Sequence, residues 1–179
     1  MVYVLLGTGF EEMEAITPID LLRRAGIGVI TVGLNGQTIK GSHGIPVTAD
    51  ITVENWDARD LDMVVLPGGL GGVASIKACP KALEMVRQAY DDGKLVAAIC
   101  AAPTVLAQLG ITDGKEAVCY PGFEENMGSA RMRDTACVRD GNVITGTSAG
   151  CAIPFALELI AALRGTDAAR QVRNQIVIR

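Results

Sequence analysis

Histidine is nearly missing from the 179-residue chain, and no Cys-x-x-Cys pair occurs. With His43 alone and widely spaced cysteines, a zinc site has too few ligands at usable spacing, so no metal is expected. A positive excess is also lacking. Sixteen Lys plus Arg stand against 20 Asp plus Glu, giving a net charge of −4. Scattered arginines such as Arg131 and Arg133 make no polybasic face, and aromatics are only 4%. Both facts argue against nucleic acid as a partner. Val2 to Leu6 is apolar, but no basic region precedes it and Glu11 and Glu12 follow, so it does not read as a secretory signal. The uncharged run Leu95 to Thr112 is broken by Pro103 and Gly110. It reads as a buried strand followed by a helix, with no membrane span expected. Five cysteines, Cys79, Cys100, Cys119, Cys137 and Cys151, are an odd number at irregular spacing. Free thiols in a reducing cytoplasm are the expectation, most of them small buried hydrophobes.

What is present is enough apolar material for a core. Hydrophobic residues make up 49% and charged residues 20%, and no repeat, linker or charge block divides the chain. One domain over residues 1–179 follows. Val2 to Leu6, Gly28 to Val32, Met63 to Leu66 and Leu95 to Ile99 are continuous apolar runs, the signature of parallel strands buried on both faces. Between them Glu11 to Ala25, Pro80 to Asp91 and Ala101 to Leu109 have helical spacing, and Gly150 to Leu163 reads as a late helix. This alternation predicts an α/β sandwich with helices on both faces of a mainly parallel sheet. Pro18 allows two readings of the first helix: a kinked continuation, or a restart capped at Thr17-Pro18-Ile19-Asp20. Asp140-Gly141-Asn142 reads as a tight hairpin.

Three strand ends carry unusual residues: Gly7 to Glu14, Pro67 to Gly72, and Ala97 to Pro103. In open α/β sheets the carboxyl ends of strands are where sites form. Cys100 lies between a strand and a helix with Ala98, Ala101 and Ala102 around it. Such small neighbours suit a nucleophile on a sharp turn, and a nearby helix N-terminus favours the thiolate. A buried structural cysteine is the alternative. The glycine loop lacks the Lys-Ser/Thr of a P-loop, and Gly68 and Gly69 could instead offer backbone N–H groups to an oxyanion. Glu11, Glu12 and Glu14 complement a helix dipole, and spacing alone cannot show whether Glu14 also faces the strand ends.

Glu11-Glu12-Met13-Glu14, Pro18-Ile19-Asp20, Arg23-Arg24-Ala25-Gly26, Val64-Val65-Leu66-Pro67-Gly68-Gly69 and Ala97 to Thr104 together resemble the ThiJ/PfpI superfamily, in its DJ-one branch. The Phe155-Ala156-Leu157 helix and the Ala168 to Val177 tail extend the resemblance over nearly the whole chain. It implies a flavodoxin-like, class I glutamine amidotransferase-like three-layer sandwich, a homodimer, and no metal or organic cofactor. It favours a continuous helix through Pro18. It places the family's nucleophile on Cys100, its carboxylate partner on Glu14, and its backbone oxyanion donors on Gly69 and Ala101. Many members carry a histidine just before a proline near the cysteine, where this chain has Tyr120-Pro121. Tyr120 and Cys119 are then expected at the pocket, with Asp20 as the partner of Tyr120. His43 aligns with a position that can hold arginine near the dimer interface, and is a further pocket candidate. No histidine follows His43, and Ala101 follows Cys100, so neither the amidotransferase nor the protease-like branch fits. The activity implied is cofactor-free conversion of small 2-oxoaldehydes, methylglyoxal to lactate, or the related removal of such carbonyls from glycated amines. A redox-responsive stress protein or chaperone sensing oxidant through Cys100 is the alternative.

Overall fold

The computed structural model describes residues 1–178. In chain order its elements are β1 (Val2–Leu6), α1 (Glu12–Arg24), β2 (Val29–Gly33), β3 (Thr38–Lys40), β4 (Pro46–Thr48), β5 (Ile51–Thr52), β6 (Met63–Leu66), α2 (Leu70–Lys77), α3 (Pro80–Asp91) and β7 (Leu95–Ile99). The second half adds α4 (Pro103–Gln108), β8 (Glu116–Ala117), β9 (Arg131–Met132), β10 (Cys137–Asp140), β11 (Val143–Gly146), α5 (Ala152–Arg164) and α6 (Thr166–Gln175). Seven strands form one sheet in the order β10-β11-β7-β6-β1-β2-β5. All its pairings are parallel except β10 with β11, which the predicted hairpin joins through Gly141 at φ +63°. No described helix is long and apolar enough to cross a membrane.

The central strands are apolar at every position because both faces are covered. Val2, Val4 and Leu6 of β1 pack with Ala15, Ile19 and Leu22 of α1 and Phe155, Leu159 and Ile160 of α5. Tyr3 and Leu5 point the other way, toward the layer holding Val73 of α2, Met85 and Val86 of α3, and Val105 and Leu106 of α4. Period-two alternation thus feeds two cores from one strand.

Helix α1 runs unbroken through Pro18, which is buried inside it. The restart reading of Thr17-Pro18 is therefore wrong, and the proline costs only the bond its missing N–H would have given to Glu14 O. The ends compensate. Glu11 caps the start, its carboxylate accepting from Glu14 N–H at 2.8 Å. At the far end Gly26, at φ +70°, donates to Arg23 O while Ile27 donates to Leu22 O, both at 3.0 Å. That pair of bonds is a Schellman closure, and it needs the left-handed residue that glycine supplies.

Sequence patterning misses α2, because Gly71 and Gly72 disfavour a helix by about 1 kcal/mol each. The structure shows why they are tolerated. A Cβ on Gly72 would lie 2.7 Å from Phe10 Cα, so only glycine lets this helix lean on the loop after β1. The short pairs β3–β4 and β8–β9 are missed as well, since they hold too few residues, several exposed, to show a pattern.

Strand order reverses between β1 and β6, because β1 is followed by its neighbour on one side and β6 lies on the other. The crevice at such a switch point is where an α/β sheet presents ligands. Gly72→Ala should push α2 from that crevice and cost about 1–3 kcal/mol, as overpacking does. Chemical denaturation measures it, and a loss under about 0.5 kcal/mol would show that the close approach is not required.

Candidate active site

Cys100 sits where β7 ends, in a backbone conformation that few side chains adopt, φ +66°. Left-handed geometry costs a non-glycine residue about 1 kcal/mol or more and persists only where neighbours enforce it. Here both backbone groups are pinned. Cys100 N–H donates to Gly146 O at 2.9 Å, and Tyr120 N–H donates to Cys100 O at 2.8 Å. The strain turns the half-buried thiol toward a cavity of about 260 Å³ whose walls include Glu11, Leu70, Tyr120 and Phe123. Ala101 and Gly69 complete the lining, and their N–H groups point at the sulfur.

Glu14 reaches the same point from α1 and is fully buried. Its Oε2 accepts the Gly68 N–H at 2.8 Å. Its Oε1 is buried without a hydrogen-bond partner, and the carboxyl lies beside the Cys100 thiol, to which it is coupled. A Cβ on Gly68 would collide with both Glu14 Oε2 and Cys100 Cβ, so glycine at 68 is what lets acid and thiol meet. Burial raises the Glu14 carboxyl to about 7, against the opposing bonds from Cys100 and Gly68. Burial and then the Glu14 charge push the Cys100 thiol up to about 12, while the Ala101 and Gly69 amides favour its anion. The thiolate preference expected from a helix end is therefore overridden. Helix α4 starts at Pro103 and spans only six residues. Two buried acids side by side cannot both ionise cheaply, so once Glu14 gives up its proton the thiol keeps its own.

Several sequence expectations fall elsewhere. Asp20 does not meet Tyr120. It pairs with Arg24 at 2.8 Å and lines a separate groove with Ile16, Arg23 and Asp50. Six residues beyond Glu14 is about 240° around the helix, which turns Asp20 off the Glu14 face. His43 is exposed and does not line the cavity. Its backbone N–H and Nδ1 bind the Glu12 carboxylate at 2.8 and 3.0 Å. Cys119 is buried and lines a cleft with Pro121, Met132 and Arg133 instead. Gly68 N–H is taken by Glu14, leaving Gly69 as the free loop donor. Tyr120 does line the cavity, at 45% exposure.

Sequence reasoning missed Glu11, Leu70 and Phe123 as lining residues. The strand-end rule could have found the first two, since both belong to the loops after β1 and β6. It also missed a group of metal-donor atoms, because spacing along the chain does not show it. Glu11, Glu12 and His43 bring such atoms within 4.8 Å, the one such cluster among the described residues. Glu12 there already accepts from His43 N and Nδ1, Ser42 Oγ and, at 3.4 Å, Ile45 N. Those bonds hold it down at about 2 despite its burial, and they raise His43 toward the cationic form. The donor set is arranged as an ion pair. A larger surface groove of about 370 Å³ between α5 and α6 presents Glu158, Thr166, Arg170 and Arg173, with no cysteine among the described lining residues.

A strained cysteine at a strand end, a buried carboxyl touching it and two backbone donors define a class of α/β proteins with a nucleophile elbow. Within that class the chain belongs to the DJ-1/PfpI family, whose model matches residues 1–162. It is 38% identical over 178 residues to Protein dj-1beta of Drosophila melanogaster, covering 98% of this chain and 95% of that one. It is 32% identical over 146 residues to Deglycase PH1704 of Pyrococcus horikoshii, covering 80% and 87%. A DJ-1 superfamily protein of Salmonella typhimurium superposes with a TM-score of 0.94 at 35% identity, covering 99% of this chain and 98% of that one.

A carboxyl raised from 4.5 to about 7 stabilises the fold below about pH 4.5, and that contribution is lost as pH rises through 7. Glu14→Gln removes the titration. The variant should therefore gain on the wild type by an amount on the order of 3 kcal/mol between about pH 4 and pH 8. Urea unfolding at both pH values measures the difference, and a pH-independent gap would show that Glu14 does not titrate near neutrality.

Proposed function

We propose that the chain is a cysteine-dependent, cofactor-free enzyme for small 2-oxoaldehydes, converting methylglyoxal to lactate. The observation that carries this is the contact of Glu14 and Cys100 beside two backbone donors in an open cavity. Cys100 Sγ bonds to the aldehyde carbon as the carbonyl π bond breaks, and the thiol proton passes to ionised Glu14. The Gly69 and Ala101 N–H groups hold the new oxyanion, which then takes the proton from Glu14 to give a hemithioacetal. Ionised again, Glu14 removes the C1 proton to form an enediolate and returns it to C2, while the hydroxyl proton on the C1 oxygen passes to the C2 oxygen. The product is a thioester of the 2-hydroxy acid. One water cleaves it, releasing lactate and the free thiol, so methylglyoxal plus water gives lactate. A hemithioacetal also forms on carbonyls released from glycated amines, and the same residues serve a deglycase reaction.

Tyr120 stands where many family members carry histidine. A phenol hydroxyl can donate a hydrogen bond to substrate but lacks the imidazole nitrogens that move protons near neutral pH, so proton transfer falls to Glu14. A second reading rests on the raised Glu14 carboxyl. A protonated Glu14 would donate to a sulfinate on Cys100, as a redox-responsive stress protein or chaperone needs.

Lactate formed from methylglyoxal, measured independently of thiol trapping, tests the enzyme reading. Cys100→Ser should abolish it, and Glu14→Gln should lower turnover by about 10²–10⁴-fold. Glu12→Gln, at the same helix end, should stay near normal. Activity should rise with pH through about 7 as Glu14 ionises. No lactate above the Cys100→Ser background would overturn the reading in favour of redox sensing.

A further inference from the structure

The residues around Cys100 form an apolar wall far larger than a methyl group requires. Leu70 directly follows the Gly69 donor and is 70% exposed. Tyr120 is tied to Cys100 by its backbone bond at 2.8 Å, and Phe123 N–H donates to Tyr120 O at 3.1 Å. The two rings meet edge to face, with centroids 6.2 Å apart at 77°. Phe123 is anchored from behind by the packed side chains of both neighbouring clusters. The cavity adjoins a second hollow of about 270 Å³ that shares Leu70, Ala101 and Phe123 and continues to Val73. Among the described residues, Glu11 is the one charged side chain lining the first cavity.

Resting on the proposed reaction, we propose that the preferred substrates are 2-oxoaldehydes with a bulky apolar group, aryl above all. Leu70, Tyr120 and Phe123 are the specificity-determining residues. Because the wall grows from the residue after one oxyanion donor and from the turn bonded to the nucleophile, its distance from the reacting carbon is fixed. An aryl group on C2 fills the space between Leu70 and the Tyr120–Phe123 pair, which favours edge-on ring contacts. A methyl group leaves those surfaces in water. The chemistry is unchanged, since each R–CO–CHO takes up one water to give R–CHOH–COOH.

The test compares phenylglyoxal, giving mandelate, with methylglyoxal, giving lactate. Phenylglyoxal should be preferred in kcat/KM by about tenfold or more, mainly through a lower KM, since one methylene alone is worth about tenfold in an apolar pocket. Leu70→Ala changes an exposed side chain and so should fold. It should lower kcat/KM for phenylglyoxal at least about threefold more than for methylglyoxal. Equal use of both substrates, or equal losses in the variant, would overturn the proposal. A second measurement needs no turnover: protection of Cys100 from iodoacetamide by phenylacetaldehyde or acetaldehyde, read by mass spectrometry. Neither aldehyde has the 2-oxo group that the isomerisation needs. Phenylacetaldehyde should protect at about tenfold lower concentration. Selective protection without any hydroxy acid would retire the proposed reaction and keep the pocket preference. Unselective protection would overturn the preference, whatever the turnover.

Discussion

A carboxyl group with no access to water, held by a backbone amide beside a thiol, sets the terms for the rest of the molecule. Glu14 cannot ionise at its ordinary pH in that place, and Cys100 cannot ionise while Glu14 is charged. Charge in a desolvated pair is costly, so each group keeps its proton to a higher pH than it would in water. Everything that holds them together follows from the chain around Gly68. A side chain there would occupy the space where acid and thiol meet.

The fold supplies this contact through the sheet's reversal point. Helix α1 brings Glu14 from the loop after β1, the glycine loop after β6 brings Gly68 and Gly69, and β7 delivers Cys100. The strained Cys100 backbone is held by β11 on one side, through Gly146, and by Tyr120 on the other. Strain of this kind persists only where rigid neighbours enforce it, and the central strands are the most deeply buried part of the structure. The tight glycine packing of α2 against the loop after β1 serves the same end, because it fixes where the Gly69 amide lies.

Much of this was legible in the sequence. Uninterrupted apolar runs marked β1, β6 and β7, since only strands covered on both faces can be so consistently hydrophobic. The small residues around Cys100 marked a sharp turn. Glu14 was legible as a helix-opening acid, but its meeting with the thiol came from family resemblance, because linear spacing carries no direction across a sheet. Direction is also what misled the reading of Asp20 and His43. Asp20 shares a helix with Glu14 and faces another groove, while His43 is captured by Glu12, its closer acid. Helix α2 stayed hidden because its glycines serve packing at the expense of propensity. The aromatic wall required knowing that the turn at Tyr120 is bonded to the cysteine's own carbonyl.

Where the proton of the Glu14–Cys100 pair resides near neutral pH decides whether Glu14 can act as the base. Isotope-edited infrared spectroscopy of the glutamate carboxyls, with Glu14→Gln identifying the band, reads that directly. The protonated-carboxyl stretch of Glu14 should be present in the wild type at acidic pH and disappear with a midpoint near 7. Loss of that band below about pH 5, as for a solvent-exposed glutamate, would mean that Glu14 is an ordinary carboxylate and that its burial beside Cys100 does not tune it for proton transfer.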